Sequence, residues 1–400
     1  MTKLIKSNYL MVLLLIPFFK PVCFQYFTVL QGVEMLFVLW KVLAAAVCFL
    51  LLFSYIWINS RLPKLILPVL LFETAIAIST ILNQGDMARA LIDGVSIVAY
   101  IVLLTLGLKY NGRGMMFLLS RILGVLVIVN LISVLCYPQG LPADLYTNPE
   151  NPLYFMVIDN GSALFLVFSI MVFAVHNLLS YGSLKVGGKI LIMCALITAF
   201  LAGSATAVLS AALMVIALFF ILVSDFSKRQ NPIVLFVIYI LVFLYLITMQ
   251  DNIVSEFVLE KIFNRPANFT GRYYLWESAI QMIREHPWIG YGRSTQDYIS
   301  AWGGYFSSHN YVLETLLQGG AAALAFFVLT VVYAVKKSLH TRHGRITACI
   351  VYGLIAILIA ALMEAAVHSV YIFGCISLCG GSWYLEKEQE QRKRWNGKSS

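Results

Sequence analysis

Residues 270–320 read TGRYYLWESAIQMIREHPWIGYGRSTQDYISAWGGYFSSHNYVLETLLQGG and lie between two long apolar runs. Almost everything around this stretch reads as membrane. The stretch itself gathers arginines, histidines, carboxylates, glycines and aromatic rings, a mix suited to holding a charged, sugar-bearing ligand. Thr270 is placed to cap a short helix whose apolar positions Trp276, Ile280 and Ile283, with Leu275, Ala279 and Met282 beside them, share one face at helical spacing. Pro287 ends that helix. Arg272 falls in its first turn, where free N–H groups and the helix dipole already favour an anion such as a phosphate. The glycines of Gly290-Tyr291-Gly292 and Gly303-Gly304 mark turns, and Ser307-Ser308-His309-Asn310 reads as the capped start of the next membrane helix.

The chain is 60% hydrophobic and only 12% charged, with a mean hydropathy of +0.85. Soluble domains carry about 25% charged residues, so this is the composition of a polytopic membrane protein. In lipid such runs must be helical. About twelve spans are predicted, near 8–22, 34–58, 65–82, 91–108, 115–136, 157–180, 189–203, 205–224, 232–250, 309–335, 346–366 and 369–385. The first follows Lys3 and Lys6 without a small-residue cleavage site, which reads as an uncleaved anchor. The expected domains are spans one to nine in 1–250, a large extracytoplasmic loop in 251–308, spans ten to twelve in 309–385, and a basic cytoplasmic tail in 386–400.

Orientation follows from Lys and Arg. With both ends cytoplasmic, twenty of the 28 basic residues fall on inner segments. Only seven fall outside, and five of these, Lys261, Arg265, Arg272, Arg284 and Arg293, share the 251–308 loop. Basic charge there runs against the rule and points to binding. The net charge of +9 is otherwise accounted for by inner loops and a tail (EKEQEQRKRWNGKSS) facing anionic lipid, and implies no nucleic acid. The seven cysteines lie in or at the ends of apolar spans, so neither a disulfide framework nor a zinc site is expected, and Cys375 and Cys379 read as packing residues. A proline-rich outer segment from Tyr137 to Pro152 is either a simple connector or one wall of a sugar site. Glu364 and His368, four apart near the outer end of the eleventh span, are costly in lipid and are predicted to face a polar cavity.

The ordered pattern T-G-R-x-x-x-W, P-x-x-G-x-G, H-N-x-x-L-E-x-L-x-x-G-G resembles the signature of the O-antigen ligase and Wzy polymerase superfamily of bacterial polysaccharide assembly. The motif spans about an eighth of the chain. From sequence alone His309 is either a general base, since an imidazole titrates near pH 6.5, or a polar residue that starts a helix. The resemblance assigns it as the base on an acceptor hydroxyl. Arg272 is either a headgroup anchor or, as the resemblance implies, a clamp on the diphosphate of a polyprenyl-linked donor, with Arg265, Arg284 and Arg293 sharing that work. Glu364 and His368 are further substrate-binding candidates. The superfamily pattern places a basic residue between Ser and Gly or Thr near the outer end of the seventh or eighth span, whereas Ser204-Ala205-Thr206 has an alanine there. Either a loop arginine replaces that charge or the donor is handled differently.

The resemblance thus implies an all-α, GT-C-like bundle of about twelve transmembrane helices with a large outer loop carrying short amphipathic helices. It implies a glycosyltransferase of the bacterial cytoplasmic membrane, inverting and without a cofactor, since no D-x-D cluster stands in the outer loops. Its partners would be a polyprenyl-diphosphate-linked oligosaccharide donor and acceptor, the bilayer, a chain-length regulator and a flippase. A repeat-unit polymerase is favoured over a ligase, which differs only in acceptor. A flippase for the same lipid suits twelve spans too, but no symmetry of halves is evident and the polar residues cluster in one outer loop.

Overall fold

Apolar runs that meet no water must satisfy their own backbone groups, and here they do so as helices. The computed structural model describes residues 5–146, 148, 151–158, 161–223, 232–248, 272–293, 307–341 and 344–396. In chain order the α-helices are α1 (Asn8–Leu15), α2 (Gln31–Asn59), α3 (Ile66–Leu82), α4 (Met87–Cys136), α5 (Ser162–Tyr181), α6 (Val186–Leu201), α7 (Ala205–Val223), α8 (Pro232–Thr248), α9 (Arg272–Glu285), α10 (Tyr311–Ser338), α11 (Arg345–Ala361) and α12 (Val370–Asn396). A helix stands on each predicted span, and the described residues hold no strand beyond an isolated bridge between Leu153 and Ile158. The chain is an all-α polytopic membrane protein. Among the described residues, five helical stretches are long and apolar enough to cross a membrane, and Ile66–Leu82, Val186–Leu201 and Arg345–Ala361 are shorter apolar helices.

The 50 residues of α4 are two spans, not one. A straight helix of that length would measure about 75 Å, against about 30 Å of hydrocarbon. Asn111 breaks it with φ −156° and ψ 56°, and its Oδ1 accepts the Gly114 amide at 3.2 Å, capping the second limb. The break falls between the predicted spans 91–108 and 115–136.

Loops expected on one side of the membrane share one end of the bundle. Asn83 donates to the Gly290 carbonyl and Asp86 to that of Arg293, while Cys23 donates to Phe155 and Leu145 to Tyr26. At the opposite end the segments around Lys64, Lys109, Lys337 and Tyr384 meet. α5 is buried on every face, as suits the centre of a large bundle. α2 instead lies at the rim, with Leu36, Leu43, Leu50 and Phe53 exposed, and turns Ala44, Ala45 and Cys48 inward.

Three boundaries differ from expectation. α5 begins at Ser162, since Ser133 Oγ accepts the Phe155 amide at 3.1 Å and Asn130 Oδ1 that of Met156 at 2.8 Å, pinning 153–158 as a turn on the end of α4. α11 stops at Ala361, so Glu364 and His368 stand on a turn beyond its end and not within the helix. The charged tail, expected as a solvated or lipid-surface end, continues α12 and ties down its neighbours. Glu386 Oε1 accepts the Thr347 amide at 2.8 Å in the first turn of α11. Gln389 Nε2 donates to the Leu178 carbonyl at 2.7 Å, and Arg392 donates to that of Ser180, at the last turn of α5. Acid at a helix start and donors at a helix end satisfy the orphan groups there and match the dipoles.

Candidate active site

The site is built at the start of α10. Asn310, with φ −147° and ψ 120°, is the N-cap, and its Oδ1 accepts the amides of Val312 and Leu313 at 3.0 and 3.1 Å. Its Nδ2 donates to the Leu362 carbonyl at 3.1 Å, tying the cap to the end of α11. Ser308 is held as firmly. Its amide and hydroxyl both donate to Glu314 Oε2, at 2.9 and 3.0 Å, and its carbonyl accepts the Trp276 indole N–H at 3.0 Å from α9. Ser308 and Asn310 are buried, whereas Ser307 and His309 line an open cavity. His309 is thus carried between two immobilised residues. It also adopts φ +48°, the left-handed region that non-glycine residues seldom visit. Strain of this kind costs about 1–3 kcal/mol and persists only where the surroundings dictate it.

The helix bearing this start is broken about two and a half turns along. Gly320, at φ 63° and ψ −166°, interrupts α10, leaving carbonyls that would otherwise pair within the helix. The 286–293 loop fills the gap: Tyr291 donates to Leu317 O at 2.6 Å, Gly292 to Gln318 O at 3.1 Å, and Ala321 to Pro287 O at 2.8 Å. A Cβ on Gly290 would lie 2.5 Å from the Leu317 carbonyl oxygen, and on Gly292 2.5 Å from Thr80 Cα. The G-x-G and G-G of the sequence are therefore two halves of one backbone junction. Beneath it the predicted apolar face of α9 is realised, with Trp276, Ala279 and Met282 buried against Tyr291, Leu313 and Leu317.

His309 opens on a cavity of about 820 Å³. Its far wall comes from the proline-rich segment, through Tyr146, Asn148 and Asn151, and from Lys20 and Tyr26 after α1. Its remaining wall is the 362–371 turn, with Glu364, His368 and Tyr371. Lys20 carries positive charge into this space, balanced by Glu34 at 2.6 Å. His368 Nε2 lies 3.0 Å from Glu73 Oε2 of α3, and both side chains are about nine-tenths buried. A titratable pair at that depth is costly to bury.

The matching protein family is described as O-antigen ligase, over residues 190–328. That match runs from α6 through the break in α10 and includes the whole 270–320 stretch. The match covers about a third of the chain and supports a place in the O-antigen ligase and Wzy superfamily. None of the curated proteins matches the chain. Glu73, Glu364 and His368 lie outside the matched region.

Of the residues singled out in the sequence, His309, Glu364 and His368 meet at one cavity. Arg272 is the first residue of α9, in the first turn as expected, and its side chain is outside the described residues, as is all of Arg265. Arg284 is exposed in the last turn of α9. Arg293 does not line the cavity. Its Nη2 pairs with Asp93 Oδ2 at 2.9 Å, and its amide donates to Thr80 Oγ1 at 3.0 Å. Ala205 starts α7, where Ser204 Oγ accepts the Ala207 amide at 3.4 Å, a capping role with no charge. Sequence reasoning missed Lys20 in the cavity lining and Glu73 as the partner of His368. A carboxylate within an apolar span was the available signal for Glu73.

Proposed function

We propose that this O-antigen ligase-type chain is a repeat-unit polymerase, transferring a polyprenyl-diphosphate-linked glycan onto a sugar hydroxyl of another lipid-linked unit. The observation that carries this reading is the strained His309, carried between two hydrogen-bonded neighbours and facing a cavity of about 820 Å³ with polar side chains among its lining. His309 takes the proton of the acceptor hydroxyl as its oxygen attacks the anomeric carbon. The anomeric carbon–oxygen bond to the diphosphate breaks, the electron pair leaves with the diphosphate, and the configuration inverts. General-base help of this kind contributes about 10²–10⁴ in rate. Arg272, at the N-terminus of α9, clamps the diphosphate, so that side chain and helix end act with one sign of charge. Arg265 and Arg284 support it, and Glu364 and His368 bind acceptor hydroxyls. The end of the bundle holding this cavity faces the extracytoplasmic side of the bacterial cytoplasmic membrane, with both termini in the cytoplasm. Neutralising the leaving group with arginines makes the reaction independent of a divalent cation.

The test is reconstitution. Purified protein should lengthen lipid-linked repeat units in the presence of EDTA, and deletion in the host should leave single lipid-linked units without blocking their export. Transfer only to a finished lipid core would make it a ligase. Blocked export would make it a flippase.

A further inference from the structure

A second polar cavity, of about 160 Å³, lies at the opposite end of the bundle from His309. Four cationic side chains line it: Arg61 and Lys64 from the loop between α2 and α3, Lys109 beside the break in α4, and Lys337 near the end of α10. No carboxylate lines it. The two innermost lysines are held by phenol rings. Lys109 Nζ donates to Tyr55 Oη at 3.0 Å and sits 4.6 Å from that ring's centroid, while Lys337 Nζ lies 5.0 Å from the Tyr384 centroid. Lys109 and Lys337 repel one another. Like charges gathered without a counter-ion cost free energy that an anion between them would relieve. A general bias of basic residues toward the cytoplasm places them at this end of the helices. It does not explain why four helix ends converge on one enclosure.

Two neutral groups complete the lining. Ser377 on α12 is 1% exposed, and its hydroxyl has no hydrogen-bond partner among the described residues; the buried Thr105 Oγ1 on α4 is in the same condition. Buried hydroxyls are rarely left unbonded, and both line the same space as the lysines. We infer that this cavity is an anion-binding site for a phosphate group, a phosphomonoester or phosphodiester, bound by Lys109 and Lys337 with Arg61 and Lys64 at the mouth and hydroxyl donors from Thr105 and Ser377. It is separate from the site of glycosyl transfer. The phosphate belongs either to an anionic lipid headgroup or to a soluble phosphate.

The experiment uses the full-length protein. In neutral detergent, binding of inorganic phosphate is titrated by thermal shift. In nanodiscs of phosphatidylcholine with or without phosphatidylglycerol, retention of the anionic lipid is read by native mass spectrometry after extraction. Lys109→Gln/Lys337→Gln should weaken binding about 25-fold, roughly fivefold per charge, Lys109→Arg/Lys337→Arg should keep it, and Ser377→Ala should weaken it with a normal unliganded melting temperature. Phosphate saturation in detergent assigns a soluble source, and retention of phosphatidylglycerol alone assigns the lipid. Binding of neither probe by the wild type, or equal binding by the double Gln variant, overturns the site.

Discussion

Replacing Gly320 with alanine tests the junction that supports the candidate base. The residue sits at φ 63° and ψ −166°, a region essentially confined to glycine, so the backbone strain alone costs about 1–3 kcal/mol. An added Cβ would overlap the backbone of Trp288 and Ile289, and backbone cannot rotate away as a side-chain tip can. The 286–293 loop must therefore lift, which threatens the bonds from Tyr291, Gly292 and Ala321, each contributing about 1 kcal/mol. The total destabilisation is about 4–6 kcal/mol. Gly182→Ala is the control, because Gly182 also has a positive φ of 72° yet an added Cβ meets nothing within 4 Å. That change should cost about 1 kcal/mol. Unfolding in mixed micelles titrated with SDS, followed by tryptophan fluorescence, measures both, and Trp276 and Trp288 report on the affected region directly. Equal shifts for the two variants would refute the docked-loop account.

Other consequences are as direct. Glu314→Ala removes the acceptor of both Ser308 donors; it should release His309 from its pose and lower chain extension about 10²-fold with unchanged donor affinity, since small misplacements of a catalytic group cost that much. Glu73→Leu and His368→Leu should each destabilise by about 3 kcal/mol by leaving one buried partner alone, whereas the double variant should lie within about 1 kcal/mol of wild type; an additive double mutant in the same unfolding assay would contradict the pairing. The Thr28 hydroxyl and amide donate to Asp144 and hold its carboxyl below the ordinary 3.8. Because that value is depressed, the tie is complete above about pH 5 and fades as pH falls through the folded value. Protease cleavage between residues 137 and 152 should therefore rise only at acid pH in wild type, and already at pH 7 in Asp144→Ala.

The helices were legible because lipid leaves an apolar run no other choice, and each of the twelve runs carries one. The apolar face of α9 was legible for a similar reason, as Trp276, Ala279 and Met282 keep helical spacing. What escaped was pairing across distance. Nothing local in P-W-I-G-Y-G says that its amides close a break at Gly320, since the partner carbonyls lie some 26 residues on. Arg293 read as a ligand-binding charge because Asp93, its ion-pair partner, is 200 residues away. The tail from 386 read as a solvated or lipid-surface end because its charges were counted without the helix ends they cap. His309 itself stood out only through the motif; its left-handed backbone has no sequence signal, and although Glu314 belongs to the same motif, nothing local says that it fixes Ser308.

Single-turnover extension of a lipid-linked repeat unit by His309→Ala, with donor affinity determined on the same sample, tests whether His309 takes the acceptor proton. Arg272→Ala runs alongside as the contrasting case, in which donor binding should weaken and Arg272→Lys should restore it in part. For His309→Ala the rate should fall by about 10²–10⁴ with donor affinity near that of wild type. Extension at the wild-type rate by a folded His309→Ala protein would contradict that role.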